Sequence, residues 1–268
     1  MDETTPAAPP LPQPRKLGDL LSTSLDLTFN GFWDYAAILL AGLAPGSVLV
    51  GAALVLTGFS DREGIKGALL SGQYLGVGAV LLAGLFAKLL DALATLAVII
   101  SLNARDRGEA LGLGECYSRA AERLWSFLWT ELLVGLWVIA GLICFIIPGI
   151  VMAIRYSLTQ LVVVLDGRSG SEALGRSRAI IIPHMGKVFG NFLVVGILAG
   201  VIVFFVIIGL SLGVHFIPGH GGAVFEQAYA FIAKLAERLI GVWALALSVL
   251  LYKDLSALHP MPEPAPEP

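Results

Sequence analysis

The feature that most constrains this chain is a series of apolar runs, each long enough to cross a lipid bilayer. A spanning helix needs about 20 mostly apolar residues to cover roughly 30 Å of hydrocarbon. The sequence therefore predicts an all-α, polytopic integral membrane protein with about six transmembrane helices. The six segments that meet the requirement are Phe32–Leu56, Tyr74–Leu102, Leu124–Ile147, Ile150–Leu165, Val188–Leu212 and Ala228–Leu251.

Composition supports a membrane protein and excludes an ordinary soluble one. Of the 268 residues, 57% are hydrophobic and only 14% are charged, whereas a soluble domain carries about 25% charged residues. A soluble chain of this length would need more polar surface to cover itself. The net charge of −3 gives no basic character that would indicate nucleic acid as a partner.

The two ends of the chain differ in composition from the rest. Both are rich in proline and lack residues that could pack, so we expect disordered tails at 1–14 and 257–268 and a six-span helical membrane domain at 15–256. The N-terminal segment has no basic region followed by an apolar stretch. We therefore do not expect a secretory signal peptide there.

Lysine and arginine placement predicts the orientation of the spans. With six spans, eleven of the 17 basic residues fall in the tails and loops on the side of the termini, and only Arg62 and Lys66 fall on the other side. The positive-inside rule then places both termini in the cytoplasm. An odd number of spans would remove this asymmetry.

A weak repeat precedes the first, third and fifth spans. Stretches beginning at Leu17, Leu113 and Gly170 each place a small residue and then an acid at the start of a short amphipathic helix. Such an acid complements the helix dipole, and Ser169 with Glu172 matches a capping box. The pattern predicts three interfacial amphipathic helices, each followed by two spans, in a threefold repeat. The alternative is that loops between spans look amphipathic by chance.

One region resembles a known family. Its features are Pro-Gly at 148–149, Arg155 before an aromatic residue, an apolar run ending in Asp166-Gly167, and the helix Glu172-Ala-Leu-Gly-Arg-Ser. This pattern is similar to the membrane domain attached to some bacterial glycerophosphodiester phosphodiesterases, which also occurs alone. The resemblance implies a six-span domain in a bacterial inner (plasma) membrane. The phosphodiesterase activity belongs to a separate soluble barrel, for which this chain has no room.

Signatures of enzymes and metal sites are missing from the sequence. There is no HExxH and no phosphate-binding glycine-rich loop, so we expect no enzyme activity, no cofactor and no metal. His215 and His220 lack nearby acids or cysteines, which makes a poor metal site. Cys116 and Cys144 form no CxxC pair and are expected to be ordinary apolar residues.

Charged residues within the spans mark the first candidate site. A charge at the bilayer centre costs about 2.5–3.5 kcal/mol on insertion scales, so such residues face the bundle interior and pair. They either form polar contacts that hold helices together, such as Lys88–Asp91 or Arg155–Glu237, or line a cavity for a lipid headgroup, an ion or protons. The sequence leaves both interpretations open. The candidate network is Lys88, Asp91, Glu131, Arg155, Lys234, Glu237 and Arg238.

The leading hypothesis for function is a non-enzymatic membrane protein that engages lipid, with a membrane-organising or accessory role in lipid or envelope processes. Its partners would be membrane lipids, mainly anionic, bound by basic loop residues. The alternative is a small transporter or channel that uses the charges in the spans; a protein partner or homo-oligomer stays open. The candidate anionic-lipid contacts are Arg105, Arg107, Arg119, Arg123, Arg168, Arg176, Arg178 and Lys187.

Two GxxxG patterns, Gly42-x-x-x-Gly46 and Gly196-x-x-x-Gly200, could mark close contacts between helices. With 31 glycines in the chain, chance matches are expected, so the patterns carry little weight by themselves.

Overall fold

A computed structural model describes residues 15–58, 67, 72–215 and 223–259. Residues 1–14 and 260–268 of the expected tails, Arg62, Lys66, His220 and the side chain of His215 lie outside this description. The described part is helical and contains no strand. Its six segments that are long and apolar enough to cross a membrane confirm the predicted all-α polytopic membrane protein; they are Phe32–Thr57, Tyr74–Asp106, Leu113–Cys144, Ile146–Asp166, Gly170–Leu212 and Ala228–Leu258.

The described part of the chain forms nine α-helices. They are α1 Leu17–Asn30, α2 Phe32–Thr57, α3 Tyr74–Asp106, α4 Leu113–Cys144, α5 Ile146–Arg155, α6 Thr159–Leu161, α7 Gly170–Ile181, α8 Met185–His215 and α9 Ala223–Leu258. A π-helical turn at Val162–Asp166 follows the one-turn helix α6, and a 3-10 turn at Ile182–His184 joins α7 to α8.

The protein core lies where the second half of α3 packs among its neighbours. Ala94 and Leu96–Leu102 are buried there, together with Leu247–Leu251 of α9. Other helix surfaces are apolar but exposed. In the most apolar 18-residue stretch of Gly170–Leu212, only 6% is buried within the protein. Apolar surface of this extent requires a covering of lipid.

Close packing joins α2 to α3. A Cβ atom added at Gly42 would lie 2.5 Å from the Cβ of Ala94, and one at Gly46 would lie 3.0 Å from Ala87. The first GxxxG pattern is therefore a point where two helix backbones approach closely. Gly196 and Gly200 have open space beside them, so the second pattern marks no contact within the described residues.

Two of the three expected interfacial helices are separate elements. The amphipathic helix α1 is joined to α2 at Gly31, and its buried Ser24 accepts a 3.0 Å hydrogen bond from the indole of Trp243 in α9. The helix α7 is likewise separated from α8. The second expected helix is not separate, because the chain from Leu113 continues unbroken to Cys144. No glycine or proline interrupts it between Gly114 and Gly135.

The start of α7 is held by a contact from another helix. Ser169 occupies the N-cap position with extended backbone angles, but its side chain makes no cap hydrogen bond. The capping-box prediction is wrong in this respect. The backbone N–H of Gly170 instead donates to the hydroxyl of Thr130 in α4 at 2.8 Å. An acid does stand in the first turn of α1, α4 and α7, as the repeat predicts.

Ion pairs join the start of the first span to the end of the second, and the end of the second to the end of the sixth; a further pair joins the end of the fourth span to α7. The start of the first span and the ends of the second and sixth therefore lie on the same side of the bundle, as an even number of spans requires. The pairs are Arg15–Asp254 at 3.2 Å, Arg176–Asp166 at 3.7 Å, Arg105–Asp34 and Lys253–Asp106.

Candidate functional site

The fourth span has an irregular backbone. Within Ile146–Asp166 the helix α5 ends at Arg155, a turn follows, and the chain continues as α6 and the π-helical turn. Irregular backbone at membrane depth is tolerated where protein buries it or where it lines a polar cavity. Both conditions are met here. The guanidinium of Arg123 donates hydrogen bonds to the carbonyls of Val163, at 3.0 Å, and Val164.

A cavity of about 440 Å³ lies among α3, α4, α6 and α9. Four ionisable side chains line it, contributed by three different spans: Lys88 and Asp91 from α3, Glu131 from α4 and Arg238 from α9. Gln160 from the irregular fourth span adds a neutral polar group. The structure therefore brings four of the seven predicted network residues to one place near the middle of their spans.

Two of these charges pair with each other. The guanidinium of Arg238 donates to Oδ2 of Asp91. Asp91 is 6% exposed, and its other carboxylate oxygen, Oδ1, has no hydrogen-bond partner among the described residues. A buried carboxylate with one unpaired oxygen has the capacity to accept a further donor.

The other two charges, Lys88 and Glu131, form no ion pair with any residue in the described ranges. Gln160 lies within hydrogen-bonding reach of the Glu131 carboxyl group. The side chain of Lys88 is exposed while it lines the cavity, so it stands at the cavity's opening. A lysine and a glutamate that face one cavity without ion-pair partners leave room for a ligand that carries both a negative and a positive group.

The remaining predicted network residues lie elsewhere. Arg155, Lys234 and Glu237 do not line the cavity, and Glu237 is exposed. The suggested contact between Arg155 and Glu237 is wrong for the described residues, because α5 packs mainly against α4, with further contacts to α7 and α8. The backbone carbonyl of Arg155 accepts a 3.0 Å hydrogen bond from Ser177.

Sequence reasoning missed the neutral polar lining of the cavity. Gln160 and Thr95 both face it, yet only charged residues were considered as candidates within the spans. A glutamine inside an apolar run is itself a signal, because its amide group also requires hydrogen-bond partners in a membrane.

Most of the predicted anionic-lipid contacts have partners within the protein. Arg107, Arg168 and Arg178 form no ion pair with any residue the structure describes, so their guanidinium groups are available for contacts with other molecules. The others bind side chains or backbone carbonyls of this chain. They are Arg105 to Asp34 and the Asn30 carbonyl, Arg119 to Glu115, Arg123 to Val163 and Val164, Arg176 to Asp166, and Lys187 to the Arg15 carbonyl.

A second, smaller cavity of about 360 Å³ lies beside the loop between α3 and α4. Arg107, Arg119 and Arg123 line it, but so do Glu109 and Glu122. The carboxylates offset much of the positive charge, and two of the three arginines already hold protein partners. This cavity is therefore a weaker candidate for an anion than its arginines alone would indicate.

No group of three or more His, Cys, Asp or Glu side chains that could hold a metal ion occurs within the described ranges. Comparison of the chain with protein-family models, with curated proteins and with solved structures found no match.

Proposed function

We propose that this chain is a non-enzymatic integral membrane protein that binds the polar part of a lipid in the cavity between its spans. This binding would serve a membrane-organising or accessory role in lipid or envelope processes. The observation that carries the proposal is the cavity of four ionisable residues from three spans, two of which, Lys88 and Glu131, have no ion-pair partner in the described protein. Charged groups inside spans mark a functional site by default.

The cavity lining suits an amphiphile. Its charged groups stand beside apolar side chains, among them Leu39, Val98 and Phe127. The surrounding helices present exposed apolar faces, so a molecule that places its polar part at Lys88 could extend its hydrocarbon part along them. A lipid has this combination, and a small inorganic ion lacks the apolar part.

The cellular location and orientation belong to the same proposal. A bacterial inner membrane with both termini cytoplasmic is supported by the excess of basic residues on the side of the termini and by the resemblance at 147–178. Arg107, Arg168 and Arg178 are the basic residues on that side best suited to anionic lipid, because they form no ion pair within the described chain.

Native mass spectrometry of the protein in lipid nanodiscs tests the proposal. Wild type would be compared with Lys88→Met and Glu131→Gln, and Glu237→Gln would serve as control, since it removes a charge of the same spans outside the cavity. We expect wild type and the control to retain one lipid class that the two cavity variants lose. Retention of the same lipid mixture by all four proteins would contradict the proposal.

A second candidate, a small transporter, is favoured by the broken fourth span. Interrupted helices that line a charged site near the middle of a bundle are typical of secondary transporters. This function predicts flux of a lipid, an ion or protons in proteoliposomes that falls in Lys88→Met and Glu131→Gln but not in Glu237→Gln. Absence of flux for all three classes would reject it.

A further inference from the structure

We infer that the cavity recognises a zwitterion that carries a primary ammonium group and a phosphate diester, the chemistry of an ethanolamine phospholipid headgroup. This inference rests on the proposed function, because it names the class of polar group that the cavity would hold. Three properties of the cavity support it: its balanced charge, its two charges without ion-pair partners and the hydrogen-bond acceptors in its lining.

The charge of the cavity is balanced. Lys88 and Arg238 are matched by Asp91 and Glu131. In a medium of low dielectric constant an uncompensated charge is strongly unfavourable. A ligand with a net charge would leave one cavity charge without compensation, whereas a ligand with one positive and one negative group keeps the balance.

The pairing within the cavity decides where such a ligand would bind. Asp91 and Arg238 already neutralise each other. Lys88 and Glu131 belong to different helices and have no ion-pair partner in the described part of the chain. The phosphate of the ligand would therefore contact the ammonium of Lys88, and the ammonium of the ligand would contact the carboxylate of Glu131.

The hydrogen-bond acceptors in the lining favour an ammonium group that carries N–H donors. The carboxylate of Glu131, the amide oxygen of Gln160 and the unpaired Oδ1 of Asp91 can all accept hydrogen bonds. A primary ammonium has three N–H donors. A quaternary ammonium has none and is recognised by aromatic cages, whereas Phe127 is the one aromatic side chain in this lining. The cavity is thus built for ethanolamine rather than choline.

The first experiment uses the wild-type protein alone. Nanodiscs would contain equal amounts of phosphatidylethanolamine, its N,N-dimethyl derivative, phosphatidylcholine and phosphatidylglycerol with identical acyl chains, and native mass spectrometry would measure the lipids retained. We expect at least about tenfold preference for the ethanolamine lipid over the choline lipid, with the dimethyl lipid between them. Equal retention of ethanolamine and choline lipids would overturn the inference.

Variants then assign the preference to the cavity. Glu131→Gln should reduce the preference for ethanolamine over choline to near unity, Lys88→Met should reduce retention of every phospholipid, and Glu237→Gln should change neither. If wild type instead retains phosphatidylglycerol or phosphatidylcholine and the cavity variants lose that lipid, the proposed function stands and the inference of an ethanolamine headgroup fails. If no retained lipid depends on Lys88 or Glu131, both fail.

The same headgroup chemistry exists as a water-soluble ligand. Binding of free glycerophosphoethanolamine, which keeps the phosphate diester and the balanced charge, would be measured in the same nanodiscs, with free glycerophosphocholine as the control. Displacement of the retained lipid by glycerophosphoethanolamine alone would support the recognition and assign it to the headgroup without its lipid tail. Failure of both to displace the lipid would support recognition of the whole lipid, and equal displacement by both would overturn the inference.

Discussion

Asp91 and Arg238 illustrate how charge is accommodated inside this bundle. They stand on α3 and α9, 147 positions apart in the sequence, and each compensates the other in the cavity. Breaking a fully buried pair costs about 3–5 kcal/mol, because one charge is left alone. Since the side chain of Arg238 is 35% exposed, a smaller cost applies here.

We predict that Asp91→Asn and Arg238→Gln each destabilise the protein by about 1–3 kcal/mol. The double variant should lose less stability than the two single variants lose in sum, because each single variant leaves one charge without its partner. The measurement is thermal unfolding in detergent for all four members of the cycle. Strict additivity would show that the pair does not contribute as a unit.

At the scale of single elements, the fourth span depends on a side chain from another helix. Arg123 of α4 supplies hydrogen bonds to the carbonyls of Val163 and Val164, which the irregular backbone exposes. A buried carbonyl without a donor costs about 1–3 kcal/mol in proteins. The residue predicted as a lipid contact is therefore a structural support for the wall of the cavity.

We predict that Arg123→Gln lowers stability by about 1–3 kcal/mol and accelerates hydrogen exchange at 156–166. Arg107→Gln is the matched control, since Arg107 is exposed and forms no ion pair among the described residues; it should change stability by less than about 0.5 kcal/mol. Thermal unfolding and hydrogen–deuterium exchange of both variants provide the comparison. Equal effects of the two substitutions would contradict the assigned role.

The contact between α2 and α3 gives a second prediction at this scale. Gly42→Ala places a methyl group against Ala94 and the Tyr117 hydroxyl, and overpacking of this kind costs about 1–3 kcal/mol. Gly196→Ala meets open space and should be neutral or slightly stabilising, since alanine favours helix. Thermal unfolding distinguishes the two. If Gly42→Ala is as stable as Gly196→Ala, the two helices do not pack through Gly42.

At the scale of the whole molecule, the ion pairs connect segments that six spans place on one side. Arg15 reaches Asp254, and Arg105 at the end of the second span reaches Asp34 at the start of the first. Together with Lys253–Asp106, these contacts require the N-terminal region and the ends of the second and sixth spans to lie together. Basic residues are concentrated on that side, which is the basis of the orientation proposed above, with that side in the cytoplasm.

We predict the labelling pattern of two engineered cysteines in a background with Cys116 and Cys144 replaced by alanine. Gln73→Cys lies before the second span and Ser171→Cys at the start of α7, and both positions are exposed. In intact bacterial cells a membrane-impermeant maleimide should label only Gln73→Cys, and Ser171→Cys should react after permeabilisation. Labelling of Ser171→Cys in intact cells and of Gln73→Cys only after permeabilisation would show the opposite orientation and contradict the proposal.

The sequence was sufficient for the spans and insufficient for their contacts. The apolar runs predicted six spans, and the cost of charge in a membrane singled out seven residues, of which Lys88, Asp91, Glu131 and Arg238 line the cavity. Their pairing could not be predicted, because Asp91 and Arg238 meet only through the packing of distant helices. The break in the fourth span was also missed, since Tyr156–Leu158 contains neither glycine nor proline. The hydrogen bond that Ser177 of α7 donates to the Arg155 carbonyl at this break comes from a distant residue.

The most direct test of a lipid-binding cavity is photo-crosslinking with a phospholipid that carries a diazirine beside its headgroup. After irradiation in nanodiscs, mass spectrometry would identify the crosslinked residues. A lipid bound in the cavity should label its lining, such as Leu128, Gln160 and Leu245, and the labelling should fall in Glu131→Gln. Crosslinks confined to the outer apolar faces, such as Phe204 and Phe205 of α8, would show that lipid only surrounds the protein and would contradict the account.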